Sequence, residues 1–124
     1  MGSESGPQVV TLADVLATTA GPGPVWTASS ADLNVNLVAF DAGQGVPRHV
    51  NGDVDVLIVV VVGDGVLEVD GVARTVRVGQ ACLILKGQER ALHSGGGSFA
   101  YLTCHRRRGG LWPTGATPLA ATDG

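Results

Sequence analysis

Lysine, cysteine and long apolar runs are all scarce in this sequence of 124 residues. Their scarcity argues against nucleic-acid or membrane binding by charge, against a disulfide framework and against a membrane-spanning helix. A single lysine and a net charge of −3 argue against general attraction to nucleic acid or anionic membranes. The two cysteines, Cys82 and Cys104, lie in separate apolar runs. A free thiol in such a run acts as a small hydrophobe more often than as a nucleophile. No disulfide framework is therefore needed.

The longest apolar run, residues 54–62, is too short to cross a bilayer as a helix. The opening letters MGSESGPQ contain neither the charged nor the apolar region of a secretion signal. Myristoylation requires a hydroxyl residue where Gly6 stands. We therefore expect a cytoplasmic protein whose residues 1–8 are disordered.

The same run, 54–62, is the strongest predictor of structure. It contains one acid among β-branched and aliphatic residues, which predicts a strand buried on both faces. A glycine-rich turn follows at 63–65, and further strands are predicted at 66–69 and 72–78. Between those two strands, Asp70 and Gly71 supply the positive φ angles of a type I′ hairpin turn.

Other strands are expected on both sides of this region, together with one helix. A hydroxyl N-cap at Thr11 precedes apolar residues at helical spacing and predicts a helix over 12–18. The remaining predicted strands are 25–29, 33–42, 81–85, 91–94 and 99–106. Short strands with glycine turns and one minor helix indicate an all-β sandwich or barrel. We expect one domain over 9–108 and a flexible tail over 109–124 in which Trp112 folds back.

A spaced polar pattern lies just before the central strand. Gly43 is followed after five residues by His49, and Asn51 stands two residues further on. This spacing resembles the first motif of small single-domain cupins, in which a second histidine and then an acid follow. The acid position falls on Asp55 or on Val56, depending on the gap. We prefer Asp55, because a one-residue bulge costs less than losing the only nearby carboxylate.

A second pattern follows the central hairpin. Gly79, Leu85, Gly87, Arg90 and Ser94 occupy the places of the glycine, proline, glycine, histidine and asparagine of the second cupin motif. The resemblance covers roughly residues 33–107. It implies a double-stranded β-helix, or jelly-roll barrel, with one short N-terminal helix.

In cupins, two histidines, a glutamate and the second-motif histidine bind the metal, and here only His49 is retained. The amide of Asn51 is a poor ligand for zinc, iron or nickel, and the guanidinium of Arg90 repels a cation. We therefore expect weak or absent metal. Any divalent Fe, Mn, Zn or Ni would need His49 and Asp55 together with His93 or His105.

The resemblance places a ligand pocket inside the barrel. Its expected residues are His49, Asn51, Asp55, Arg90, Tyr101 and His105. We expect this pocket to bind a small polar or anionic molecule. In it, Arg90 needs an anionic partner, which is Asp53, Asp55 or the ligand itself.

Three alternatives stay open at this point, and so does the question of whether the protein is an enzyme. One is a metal-dependent oxygenase or isomerase. Another is a metal-free sugar isomerase or epimerase, with His49 beside Asp53 or Asp55 as base and Tyr101 as acid. The third is a purely structural module. Because a barrel has one interior and 54–62 has two apolar faces, we also expect a homodimer.

Overall fold

The computed structural model describes residues 6–19 and 21–107. In chain order the elements are α1 (Leu12–Thr18), β1 (Gly23–Ser29), β2 (Leu33–Phe40), β3 (Gly45–Val50), β4 (Val56–Val62), β5 (Asp64–Val69), β6 (Val72–Arg77), β7 (Ala81–Ile84), β8 (Glu89–Ser94) and β9 (Phe99–Arg106). The predictions for 1–5 and for the tail over 109–124, with Trp112, lie outside the described residues. Within the described part, no helix has the length and apolarity that a membrane crossing requires.

The strands form two antiparallel sheets that face each other. The five-stranded sheet has the order β1-β2-β9-β4-β7, and the four-stranded sheet has the order β3-β8-β5-β6. Along β3, β4 and β5 the chain moves from one sheet to the other and back, which is jelly-roll connectivity. The all-β prediction is confirmed.

The central strand β4 has one face in the core and one face outside. Val56, Ile58 and Val60 are buried, while Leu57 between them is 39% exposed. Because successive side chains point to opposite faces, the sequence run that looked buried throughout lies half outside the single chain. The homodimer that would cover this outer face stays a prediction.

Aliphatic side chains from both sheets fill the barrel interior around three aromatic rings. Phe99 and Tyr101 are fully buried and Phe40 is 8% exposed. Gly65 lies so close to this cluster that an added Cβ would be 2.7 Å from Phe99 Cζ. Gly65 therefore allows β5 to pack directly on the aromatic rings.

The hairpin between β5 and β6 has the predicted turn. Asp70 and Gly71 have φ angles of 49° and 83°, and Val69 pairs with Val72 across them. Both positive angles are those a type I′ turn requires. The Asp70 carboxylate also accepts a hydrogen bond from the Glu89 backbone N–H at 2.9 Å, which ties the hairpin to β8.

The edge strand β3 was not predicted from the sequence. Pro47 lies within it, where its pairing with β8 shifts register between Val46 and His49. Proline lacks a backbone N–H and is tolerated at such an irregularity on an edge strand. His49 thus lies near the end of a strand, and Asn51 lies in the turn after it.

Candidate ligand site

Strands β3 and β8 bring the two sequence motifs together at one end of the barrel. His49 pairs with Arg90 across the two strands. The Gly87 N–H donates to the Asn51 carbonyl at 2.8 Å, so the turn before β8 is held against the segment after β3. We call His49, Asn51 and Arg90 the polar end.

The imidazole of His49 is oriented by the backbone carbonyl of Pro47. Its Nδ1 lies 2.9 Å from the Pro47 carbonyl oxygen. A carbonyl only accepts, so Nδ1 carries a proton, and in the neutral form of the ring Nε2 is the nitrogen with the lone pair. This Nε2 is buried and has no hydrogen-bond partner among the described residues. It is therefore an acceptor available to a ligand.

Asn51 is fixed by an Asx turn. Its Oδ1 accepts hydrogen bonds from the backbone N–H groups of Asp53 at 2.9 Å and Val54 at 3.4 Å. The residue is 4% exposed, and its Nδ2 is buried without a partner in the described part of the chain. Because Oδ1 is committed to the backbone, the amide presents its two donor hydrogens.

Arg90 is 1% exposed and braces the turn between β7 and β8. Its Nε donates to the Gln88 carbonyl and its Nη2 to the Leu85 carbonyl, each at 3.2 Å. Asp55, one of its predicted partners, is directed elsewhere. The bonds to the turn fix a buried positive charge on β8, opposite His49.

The structure corrects the choice of Asp55 as the motif acid. Asp55 is exposed, and its Oδ1 accepts a hydrogen bond from the Lys86 backbone N–H at 2.8 Å. Val56 is fully buried inside the barrel, in register with Ile84. Neighbouring strand residues face opposite sides, so only one of the two can point inward. An aliphatic side chain therefore occupies the place of the cupin glutamate.

Tyr101 lies in the aromatic core. Its ring centroid is 5.4 Å from that of Phe99 and 6.3 Å from that of Phe40. The hydroxyl is buried without a hydrogen-bond partner among the described residues, and this burial raises the pKa of Tyr101 far above its usual range. The hydroxyl therefore stays protonated, and no hydrogen bond joins it to His49.

Of the two other histidines, His105 is buried on β9 and His93 is exposed on β8. His105 is 5% exposed, with Nδ1 2.9 Å from the Arg106 carbonyl oxygen and Nε2 3.5 Å from Asn34 Nδ2. His93 is exposed on β8, between the inward residues Leu92 and Ser94. The alternative metal ligands Asp55 and His93 therefore lie outside the barrel, and this ligand set does not assemble.

Sequence reasoning missed a buried polar row on β2 and β9. Asn36 is 1% exposed and Thr103 is fully buried, and Asn36 Nδ2 donates to Thr103 Oγ1 at 3.4 Å. Thr27 on β1 donates to Asn36 Oδ1 at 2.7 Å. The alternation of β2, which puts Asn36 on the same face as Val38 and Phe40, is the signal that identifies it.

The polar end and Val56 together occupy the four ligand positions of the cupin motifs, and they do not fit the metal that the resemblance implies. One imidazole, one amide, one aliphatic side chain and one guanidinium occupy the four ligand positions, and the last is a fixed cation. Nowhere in the described part of the chain do three His, Cys, Asp or Glu side chains come together as a metal site.

No protein-family model and no curated protein matches this sequence. Solved structures do match. A cupin-2 domain protein from Shewanella frigidimarina aligns with a TM-score of 0.66 and 19% identity, over 80% of this chain and 95% of that one. An RmlC-like cupin with a double-stranded β-helix, from Methanocaldococcus jannaschii, aligns with a TM-score of 0.59 and 11% identity, over 65% and 75%.

The chain has the cupin fold. A third match is the predicted oxalate decarboxylase of Thermotoga maritima, with a TM-score of 0.58 and 16% identity over 61% of this chain and 67% of that one. At these identities the matches establish the architecture alone. The chemistry of this chain therefore has to be argued from its own residues.

Proposed function

We propose that this cupin-fold protein binds a small polar or anionic molecule at its polar end. The observation that carries the proposal is a pair of buried polar atoms, His49 Nε2 and Asn51 Nδ2, that have no hydrogen-bond partner among the described residues. A buried polar atom without a partner costs about 1–3 kcal/mol. A ligand that bonds both atoms removes that cost, which provides a driving force for binding.

The two atoms also define the chemistry of the ligand. Neutral His49 accepts a hydrogen bond at Nε2, while Asn51 Nδ2 donates, so a hydroxyl group complements both. The two residues are next-but-one neighbours, with Cα atoms roughly 7 Å apart if the chain is extended there, which suits a small molecule bridging them. The buried charge of Arg90 favours an anion. A small hydroxy acid or sugar acid combines these features.

Binding explains the site better than catalysis does. The His49 ring is oriented by the Pro47 carbonyl and forms no hydrogen bond with a carboxylate in the described chain. Tyr101, the other member of the proposed acid–base pair, packs on two phenylalanine rings. A histidine base is ordinarily oriented and its protonated form stabilised by an acid, so the isomerase alternative lacks its central contact.

The test is a ligand titration followed by amide chemical shifts in ¹⁵N-labelled protein. Lactate, glycerate and gluconate combine a hydroxyl with a carboxylate, while propionate and glycerol each lack one of the two groups. We expect the hydroxy acids to bind more tightly than either control, with shifts centred on β3 and the turn before β8. Shifts centred elsewhere, or equal affinity for glycerol and glycerate, would contradict the proposal.

Two substitutions separate the site from the fold. Asn51→Asp keeps the Oδ1 acceptor of the Asx turn but removes the two donors, and His49→Ala removes the acceptor nitrogen. His49→Ala should weaken hydroxy-acid binding about tenfold, the effect of losing one hydrogen bond of about 1.4 kcal/mol. Asn51→Asp should weaken it by more, because its carboxylate also repels the carboxylate of the ligand. His93→Ala, on the outer face of β8, is the matched control and should leave binding unchanged.

Metal content is measured separately. Protein purified without an affinity tag is dialysed against zinc, nickel or ferrous iron, then against buffer, and analysed for metal. We expect less than stoichiometric metal and a ligand affinity that is the same with and without chelator. Stoichiometric metal that survives dialysis would contradict the binding mode argued here.

A further inference from the structure

A cleft opens between the two sheets on the side where β6 and β7 form their edges. These strands follow each other in the chain but belong to different sheets. The cleft has a volume of about 550 Å³, within the usual range of about 300–1,000 Å³ for small-molecule sites. We call it the β6–β7 cleft, and its lining includes none of the three residues of the polar end.

Aliphatic side chains form the base of the cleft. Leu67 is 3% exposed, and Val69, Val76 and Cys82 pack against the same core cluster. Val72, 61% exposed, lies at the rim. A ligand entering here would cover apolar surface that water now contacts, which favours a ligand with an apolar body.

Arg74 is the one charged residue among the described side chains that line the cleft. It pairs with Leu67 in the β5–β6 register, so both side chains lie on the inner face of their sheet. No ion pair or side-chain hydrogen bond links Arg74 to a described residue. An unpaired guanidinium beside an apolar wall suits a carboxylate attached to an apolar chain.

We propose that the β6–β7 cleft is a second ligand site, which takes a small amphipathic carboxylate. In this site the carboxylate is paired with Arg74, and the hydrocarbon part lies along Leu67, Val69 and Val76. An inward-pointing charge on an edge strand also has a purely protective explanation, because it discourages the edge from pairing with another chain. The experiment must therefore distinguish a ligand-binding role of Arg74 from a protective role.

Decanoate is the probe, with decanol and acetate as controls that lack the charge or the chain. Titration calorimetry and ¹⁵N amide shifts report affinity and location. We expect decanoate to bind at least tenfold more tightly than either control, with shifts along β6 and β7. Equal binding of decanol and decanoate, or shifts confined to the polar end, would overturn the proposal.

Matched variants test the contacts. Arg74→Gln should weaken decanoate binding at least tenfold, while Arg77→Gln, on the opposite face of the same strand, should leave it unchanged. Cys82→Leu should weaken decanoate binding, because the larger side chain fills the base of the cleft. Since it leaves Arg74 in place, it can still test the site if Arg74→Gln aggregates. If Arg74→Gln self-associates but binds decanoate like the parent, the role of Arg74 is to prevent edge-strand pairing between chains, and the proposal is wrong.

Discussion

Replacing Tyr101 with phenylalanine should stabilise this protein. The ring stays packed between Phe40 and Phe99, so the change removes only a buried hydroxyl that has no partner among the described residues. The desolvation cost of such a group is about 1–3 kcal/mol. The small void left behind cancels part of the gain, and we expect a net increase of about 1 kcal/mol in unfolding free energy. For a chain of this length that raises Tm by about 4 °C.

The pH dependence provides an independent measure of the same environment. Burial raises the pKa of Tyr101 in the folded protein, while in the unfolded chain it stays at about 10. Above about pH 10 the unfolded chain therefore loses a proton that the folded protein keeps. The unfolding free energy then falls with rising pH, by up to about 1.4 kcal/mol per pH unit. The phenylalanine variant lacks this contribution.

Urea denaturation of parent and variant from pH 7 to pH 11 measures both effects. Subtracting the two curves cancels the other titrating groups. Because the chain has one tyrosine, its absorbance change on ionisation has a single source. Tyr101→Leu removes the ring as well and should be less stable than the parent. The reasoning is refuted if Tyr101→Phe is destabilised at pH 7, or if the folded tyrosine ionises near pH 10.

Three further predictions concern the assembly, the turn before β8 and the turn before β5. The apolar outer face of the five-stranded sheet predicts a homodimer. Leu83→Glu should therefore yield a monomer by light scattering, whereas Val50→Glu, on the other sheet, should leave the dimer intact. A monomeric parent would contradict this prediction. Arg90→Met leaves two turn carbonyls without donors and should lower the unfolding free energy by about 1–3 kcal/mol; an unchanged urea midpoint would show that the brace is unimportant. Gly63→Ala, at φ +71° with its new Cβ against the Ser98 backbone, should cost more than about 1 kcal/mol, whereas Gly96→Ala meets nothing within 4 Å and should be neutral in the same melts.

Most strands, the helix and one hairpin turn could be predicted from hydrophobic periodicity and turn residues. The bounds of α1 and β9 agree with the prediction, and the Asp70–Gly71 turn has the predicted angles. These features depend on neighbours in the chain, so the sequence contains them directly. The edge strand β3 was not predicted, because Pro47 and the register shift beside it interrupt the alternation of its side chains.

The candidate site was less predictable, because single-residue shifts reverse the direction of a strand side chain. Choosing Asp55 over Val56 put an outward residue in the place of an inward one, although the two differ by one position. Arg90 is buried on β8, with the burial alternation of an inward residue. Its bonds to the Leu85 and Gln88 carbonyls depend on the path of a turn, which residue types alone do not specify.

The pairing of β2 with β9 determines when this barrel can close during folding. Leu33 lies beside Arg106, so the pairing joins residues that are 73 positions apart in the chain (106 − 33). The β5–β6 hairpin, by contrast, closes over two residues. Closing a long loop costs entropy before any contact is gained, and domains dominated by distant pairings fold in milliseconds to seconds. We therefore expect β5 and β6 to form early and the β2–β9 pairing to form late, leaving the apolar edges of β9 unpaired in the intervening time.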